Sequence, residues 1–444
     1  MPSVPSRALC VDSRQAKAGD LFFALKGEQA DGHDFLAAVA AGGACSVVRT
    51  DFPAEKLPAG GCFLRVDDVL AALGRFAAGY RATLSARIVG VAGSVGKTST
   101  KELVADLLAT LGKTARTAGN FNNEIGLPLS LAGVDRDCAF GVIEAGISHP
   151  GEMAELRDIL APDVAVMTAI GPVHVEFFES VRAIAEEKAA LLDKLPASGF
   201  VVLDMDDEFF DVLRGHSSAP VVTCSLARRA ADYIGDSPAD GKLWVHECAT
   251  GERALLPVPP PGGYMAGNVL RAVAVARKCG ASWAAMEAAL GHVRPVGMRW
   301  AVGEVRGWTA VNDGYNANPV SMRAALKAFA DWPVAGGKFL ALGPMLELGL
   351  LERAEHLALG RIAAAKNWSG VAVVARNSAD AAAQAIADGF RENGGAVDDF
   401  FAAPGPAEAA AWLCERLRPA DALLLKASRG VRIERVLEEL KKES

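Results

Sequence analysis

The sequence predicts an α/β protein of three domains: a small N-terminal α/β domain, a central parallel-sheet domain of the P-loop type, and a C-terminal Rossmann-like α/β domain. Three observations carry this expectation. The chain has 444 residues, enough for about three domains of roughly 150 residues each. From residue 86 onward, apolar strand-like runs alternate with helical patterns, as they do in a parallel sheet covered on both faces. A glycine-rich turn, "VAGSVGKTST" at 91–100, separates one such run from the helix after it.

Residues 1–85 mix short strands, "GDLFFALKG" and "CFLRV", with small helices. Residues 86–297 contain "ARIVGVAG", "FGVIEAG", "DVAVMTAIG" and "GFVVLDMDD", continuous apolar stretches that suit strands buried on both sides. "PVPPPGGYMAGN" ends a strand and restarts a helix. In residues 298–444 the alternation resumes with "TAVNDGYN", "KFLALGPM", "GVAVVAR" and "ALLLKASRG". No G-x-G-x-x-G occurs, so a dinucleotide fingerprint is absent, and there are no repeats or low-complexity tracts.

Composition narrows the function classes. With 51% hydrophobic and 22% charged residues the chain can bury several cores. A net charge of −7 argues against a general nucleic-acid or acidic-membrane binder, so an anionic ligand must be held by local donors. The eight cysteines form no C-x-x-C pair and read as reduced thiols of a cytoplasmic protein. No apolar run reaches the roughly 18 residues of a membrane span, and "MPSVPSRALCVDSR" lacks the apolar core of a signal peptide.

The glycine-rich turn departs from a Walker A loop, which requires G-x-x-x-x-G-K-[ST]. Here the position five before Gly96 is Val91, and the loop is shortened to G-x-x-G-K-T. "KTSTKELVADLLATLG" carries Leu103, Leu107, Leu108 and Leu111 on one helical stripe ending at Gly112. Gly93, Ser94, Val95 and Gly96 therefore lie between a strand and a helix N-terminus, where free N–H groups and the helix dipole favour phosphate. Lys97 adds a point charge, Thr98 a hydroxyl able to ligate Mg²⁺, and Ser99 continues the turn. The shortened loop is expected to bind ATP.

Other residues occupy positions suited to chemistry. Glu144 ends the run "FGVIEAG", at the strand end where ligands meet a parallel sheet, and is placed as a Mg²⁺ carboxylate. His174 follows "DVAVMTAIGPV", past another strand end. Lys188 shares a helical face with Ile184, Leu191, Leu192 and Leu195, a costly place for a lysine unless it snorkels or changes its charge state. Asn120, Asn122 and Asn123 lie in the polar loop "GNFNNEIG". Arg299 suits bidentate oxyanion contacts. Asp313 ends "TAVND", and Tyr315, Asn316 and Asn318 precede a helix opening near Pro319. Lys426, Ser428 and Arg429 follow the last strand as candidate receivers of a carboxylate. Each also has a plain structural reading: a solvated strand-end charge, a structural histidine, a snorkelling lysine, an asparagine-rich turn.

The segments "GNFNNEIGLPLSL" (119–131), "EAGISHPGEM" (144–153), "IGPVHVEFF" (170–178), "NDGYNANPVSM" (312–322) and "LKASRGVRIE" (425–434), in that order after the shortened loop, resemble the Mur ligase family over nearly the whole chain. The N-terminal "DSR…GDLFFALKG…DGHDF" (12–35) is most similar to the members that join D-alanyl-D-alanine to a UDP-N-acetylmuramoyl-tripeptide. The resemblance implies an ATP-dependent amide ligase of peptidoglycan precursor synthesis, working in the cytoplasm as a monomer through an acyl phosphate. It implies that Lys97 serves catalysis, and that Thr98, Glu144, His174 and a Lys188 carbamylated by CO₂ gather Mg²⁺. It places Asn120, Asn122 and Asn123 near the reacting end of the substrate. Asn268 falls at the adenine site, Arg299 on phosphate and Asp313 at the ribose, with Tyr315, Asn316 and Asn318 closing over ATP. Lys426, Ser428 and Arg429 receive the dipeptide carboxylate, and Ser13, Arg14, Lys26 and Gly27 form the uridine-diphosphate pocket.

Three positions depart from the family pattern. G-x-H-N-x-x-N-A reads "GGYMAGNV", with Tyr264 and Met265 replacing His-Asn. L-G-D-M-x-E-L-G reads "LGPMLELG", where Pro344 replaces an acid and leaves Glu347 as the nearest carboxylate to the amine substrate. "DDSYNANP" reads "NDGYNANP", so Gly314 lacks a hydroxyl. The strand and helix that precede "DSR" in the family are also short here. The alternatives are another Mur-type amino-acid ligase, a folylpolyglutamate-synthase-like ligase, and a degenerate, non-catalytic nucleotide-binding module.

Overall fold

Three separate sheets organise the chain in the computed structural model, which describes residues 8–27, 30–227, 230–236, 241–395 and 399–442, with the side chain of Tyr264 outside the described set. Strands β1 (Leu9–Cys10), β2 (Leu21–Phe23), β3 (Cys45–Arg49) and β4 (Cys62–Val66) form a parallel sheet in sequence order. Successive residues point to opposite faces of a strand, and β2 and β3 use both. Phe22 and Val48 pack with Leu36 and Val39 of the helix Leu36–Ala41, whereas Phe23 and Val47 pack with Val69 and Leu73 of the helix Val69–Arg81.

Cys45 and Cys62 face each other in the β3–β4 register with Cα atoms 4.6 Å apart and are joined as a disulfide. The expectation of reduced thiols throughout is corrected at this pair. Adjacent parallel strands bring two cysteines within bridging distance, which their spacing in the sequence does not reveal. Cys10, Cys138, Cys224, Cys248, Cys279 and Cys414 are free.

The central sheet contains β5 (Arg87–Ala92), β6 (Thr114–Arg116), β7 (Phe140–Glu144), β8 (Val164–Met167), β9 (Phe200–Asp204), β10 (Val221–Ser225), β11 (Tyr233–Asp236), β12 (Lys242–Glu247) and β13 (Glu252–Pro257), in the order β13-β12-β11-β10-β9-β8-β5-β7-β6. Alternate residues of β5 enter two cores. Val89 and Val91 meet Leu103 and Leu107 of the helix Lys97–Leu108, while Ile88 and Ala92 meet Leu127, Leu131 and Leu156 on the other face. The sheet is parallel from β6 to β11, but β12 and β13 pair antiparallel. The expected parallel sheet is therefore present with an antiparallel extension, and the alternating burial of "KLWVHE" is the mark of a strand with one solvated face.

Two predicted stripes are shorter than expected. The helix after the glycine-rich turn ends at Leu108, leaving Leu111 exposed. The helix bearing Lys188 spans Val181–Ala189 and passes into a 3₁₀ turn at Ala190–Leu192, so Leu191, Leu192 and Leu195 reach the core from beyond the α-helix.

The third sheet holds β14 (Ala301–Val305), β15 (Trp308–Asn312), β16 (Lys338–Leu342), β17 (Gly370–Val374), β18 (Phe400–Ala403) and β19 (Ala422–Lys426), in the order β14-β15-β19-β16-β17-β18. Among the described residues of this sheet, only β14 pairs antiparallel. In the central sheet β5 lies between β8 and β7, a point where successive crossovers leave in opposite directions and a crevice opens at the strand C-termini. No helix among the described residues is long and apolar enough to cross a membrane.

Candidate active site

The shortened loop fills that crevice. Gly93 and Gly96 adopt φ of 136° and 93°, and a Cβ on Gly93 would collide with Thr168, while one on Gly96 would lie 2.8 Å from Asn268 Oδ1. Both positions therefore need glycine. The amides of Ser94 and Val95 donate to the Ala169 carbonyl at 2.9 and 3.1 Å, and Ser94 Oγ donates to the Gly171 carbonyl at 3.0 Å. The loop is thus pinned to the segment that leaves β8. The helix Lys97–Leu108 starts at Gly96 without a capping side chain, so its first-turn amides remain available to an anion.

Lys97 bends back onto its own loop, donating to the carbonyls of Gly93 (2.9 Å) and Ser94 (3.3 Å). Burial pushes its pKa down; Glu144 opposes the shift and Arg299 adds to it. Glu144, at the end of β7, is only 1% exposed. Its Oε2 accepts from the Thr98 hydroxyl at 2.8 Å and its Oε1 from Asn122 Nδ2 at 2.7 Å. A buried carboxylate held by neutral donors is a strong seat for a cation. One carboxylate, a hydroxyl and the oxygens of a bound phosphate suit Mg²⁺, which keeps waters and rarely has an all-protein cage. Accordingly, the one ready-made group of three acidic or thiol side chains among the described residues lies elsewhere: Asp135, Asp137 and Cys138, with Lys113 paired to both acids.

Lys188 is 1% exposed. Burial drives its pKa well below the ordinary lysine value and Lys97 adds to the shift, against Glu187 and Glu152. His174, with φ of 59°, precedes a 3₁₀ turn at Val175–Phe177. Its Nδ1 lies 2.5 Å from Glu347 Oε2 of the third domain, in contact but out of line for a hydrogen bond. The imidazole holds the Glu347 carboxyl below its usual range despite partial burial.

The third domain closes the cleft. Asp313 Oδ1 accepts from the Trp300 amide at 3.1 Å, and its Oδ2 pairs with Lys426 Nζ at 2.6 Å, both side chains being buried. Lys426 also donates to the Asn316 carbonyl at 3.1 Å. The Arg299 guanidinium sits 4.0 Å over the Tyr315 ring. Asn318 caps the helix Pro319–Asp331 in a reciprocal pair with Ser321.

These parts surround one cavity of about 420 Å³. It gathers the expected loop residues Ser94–Ser99 with Asn120, Asn122, Asn123, Glu144, His174, Arg299, Asp313, Tyr315, Asn316, Asn318 and Lys426. Lys188 lies outside its lining, as do Ser428 and Arg429. Ser428 Oγ is engaged with the Ala317 carbonyl and the Leu346 amide, and Arg429 pairs with Glu434 at 2.7 Å. Ser13, Arg14, Lys26 and Gly27 are also outside it; Arg14 is exposed on Asp12, and the Lys26 backbone forms an isolated antiparallel β-bridge with that of Asp31.

The departures have visible settings. Met265 lines the cavity, and its sulfur accepts from Asn268 Nδ2 at 3.6 Å. A side chain at Gly314 would strike Ile433, so glycine is the residue that fits there. The Pro344 carbonyl accepts from the Ser428 amide at 3.0 Å. The sequence reading passed over His149 and Glu152, which line the cavity and touch at 3.1 Å. The spacing "HPGE" at a helix start was the available signal. It also took Pro259–Pro261 for a connection only; these prolines form an apolar end of the cavity with Met265, Val293, Pro295 and Val296.

Three family models match in sequence order: "Mur ligase family, catalytic domain" over residues 7–81, "Mur ligase middle domain" over 91–276, and "Mur ligase, glutamate ligase domain" over 298–429. A UDP-N-acetylmuramoyl-tripeptide–D-alanyl-D-alanine ligase of Synechocystis is 34% identical over 97% of this chain and 91% of its own. Among solved structures, MurF from Acinetobacter baumannii superposes with a TM-score of 0.86 at 26% identity, covering 100% of this chain and 95% of that one. MurF ligase from Thermotoga maritima, solved in complex with ADP, gives 0.83 at 28% identity, with 100% and 99% covered.

Proposed function

The chain belongs to the Mur ligase family, and from that premise we propose that it joins D-alanyl-D-alanine to a UDP-N-acetylmuramoyl-tripeptide with cleavage of ATP, a C–N ligation of peptidoglycan precursor synthesis. The observation that carries this reading is the glycine loop and the Thr98–Glu144 pair facing Arg299 and Asp313 across one cavity. The full complement of Lys97, Thr98, Glu144, His174 and Lys188 opposes the degenerate-module alternative. The 34% identity over 97% of this chain to a dipeptide-adding enzyme favours this reading over the folylpolyglutamate-type alternative.

The amides of Gly96–Ser99 and Lys97 hold the phosphates, and Arg299 meets them from the other side. The apolar end at Pro259–Pro261, Val293 and Met265 takes the adenine, since a flat base packs well against rings and thioethers. Asp313 faces the ribose and is held in place by Lys426. Magnesium, when bound, neutralises the phosphate charge. Thr98, Glu144 and His174 would hold it, and Lys188 would join them as a carbamate. Burial lowers the Lys188 pKa and so favours the free amine, which adds to CO₂ with release of a proton to solvent and leaves a carbamate anion in place of an ammonium. Phosphoryl transfer needs positioning and charge neutralisation more than covalent help. The tripeptide carboxylate takes the γ-phosphoryl group beside Asn120, Asn122 and Asn123, and the dipeptide amine then displaces phosphate. Lys426, Ser428 and Arg429 are all engaged within the chain, but Lys426 and Ser428 are buried whereas Arg429 is exposed in its pair with Glu434, so Arg429 is the one of the three open to the dipeptide carboxylate. Ser13, Arg14, Lys26 and Gly27 take the uridine diphosphate in the first domain. The same reading makes the enzyme a cytoplasmic monomer that uses ATP.

The test is a phosphate-release assay with ATP, Mg²⁺, a UDP-muramoyl-tripeptide and D-alanyl-D-alanine, omitting each in turn. Release requiring all four supports the assignment; release indifferent to the dipeptide contradicts it.

A further inference from the structure

The contact between His174 and Glu347 spans two domains. His174 follows β8 of the central sheet, whereas Glu347 follows β16 of the third. Both residues have left-handed backbones, with φ of 59° and 61°, an uncommon state for residues other than glycine. The two loops are also fastened to each other. The Glu176 amide donates to the Glu347 carbonyl at 3.3 Å, and Gly349 is packed so closely that a Cβ on it would lie 3.1 Å from Glu176 Cα. The two loops that carry the ring and the carboxylate are therefore held together by backbone contacts.

A metal-binding histidine commonly has a carboxylate at its second ring nitrogen, which fixes the ring; here the two meet as a close contact at 2.5 Å that is not aligned as a hydrogen bond. Glu347 lies against Nδ1, which leaves Nε2 as the nitrogen for the cavity that His174 lines. We propose that Glu347 is a positioning residue: it orients His174 toward the metal, so that the central and third domains together build the ion site. This rests on the ligase reading and adds to it that closure of the third domain tightens metal binding.

The experiment measures Mn²⁺ affinity by electron paramagnetic resonance on full-length protein with a nonhydrolysable ATP analogue. Wild type, Glu347→Gln, His174→Ala and the double variant are compared, and metal-free analogue binding is followed by calorimetry. The expected result is a loss of about 10- to 100-fold in Mn²⁺ affinity for Glu347→Gln, unchanged metal-free analogue binding, and no further loss when the change is added to His174→Ala. Unchanged Mn²⁺ affinity in Glu347→Gln, or an equal loss in the His174→Ala background, overturns the inference while leaving the ligase reading intact. Failure of wild type to bind the analogue overturns both.

Discussion

Thr98, on the first turn after the glycine loop, donates its hydroxyl hydrogen to Glu144 at the end of β7, across 2.8 Å. This bond joins the helix Lys97–Leu108 to the neighbouring strand end inside the cleft. Replacing Glu144 with glutamine keeps the volume and removes the charge. Glu144→Gln is expected to lower kcat/KM by about 10²- to 10³-fold, the range for losing one preorganised electrostatic group. Thr98→Ser, which keeps the hydroxyl, stays within a few fold of wild type. Steady-state kinetics beside circular-dichroism melts separate this from unfolding.

Gly93→Ala forces a side chain into φ of 136° and onto Thr168. It is expected to cost about 1–3 kcal/mol in backbone strain, with further loss from the collision. Gly79→Ala is the control, because it lies in the helix Val69–Arg81 with nothing near its added methyl. That change is neutral or stabilising by about 0.5–1 kcal/mol. Thermal melts of the two variants give the comparison.

Lys426 and Asp313 form a buried ion pair. Removing one partner strands the other charge, and Lys426→Met is expected to lose about 3–5 kcal/mol. Adding Asp313→Asn should recover part of that loss, since asparagine still accepts from the Trp300 amide. Urea unfolding of both singles and the double variant measures the coupling, and purely additive losses contradict it.

Lys188→Ala is expected to lose activity by at least about 10²-fold and to regain part of it with chloride or acetate, which restore an anion to the cavity left behind. Full activity without an additive refutes the carbamate role. Loss that no small anion rescues shifts Lys188 to a packing role.

Asp380 caps the helix Ala381–Glu392 and pairs with Arg376. Burial raises its pKa, but the Arg376 guanidinium and backbone amides outweigh that and hold it at about 2. A depressed carboxylate stabilises the fold above its unfolded value near 3.9 and loses that stabilisation as pH falls through about 2. The stability gap between wild type and Asp380→Asn is therefore full at about pH 5 and shrinks as the pH falls from about 4 toward 2. Urea unfolding across that window reads it.

The sequence made the glycine loop, Glu144 and the order of the strands legible, because each is written in a local pattern of apolar runs ending in polar residues. It also placed Asn122 and His174 in the cleft through motifs. Long-range pairs stayed hidden. The Cys45–Cys62 bridge depends on strand register, and the engagement of Lys426 by Asp313 depends on β15 lying beside β19. The Glu347 contact with His174 depends on how two domains meet. The proline-lined end of the cavity was missed because prolines after a strand read as a connection, whatever they later face.

The most direct measurement is a crystal structure with a nonhydrolysable ATP analogue and Mg²⁺. The account predicts a triphosphate on the amides of Gly96–Ser99, with the ion about 2.1 Å from an oxygen of Thr98 or Glu144. A triphosphate bound elsewhere, or an empty cleft at saturating analogue, contradicts it.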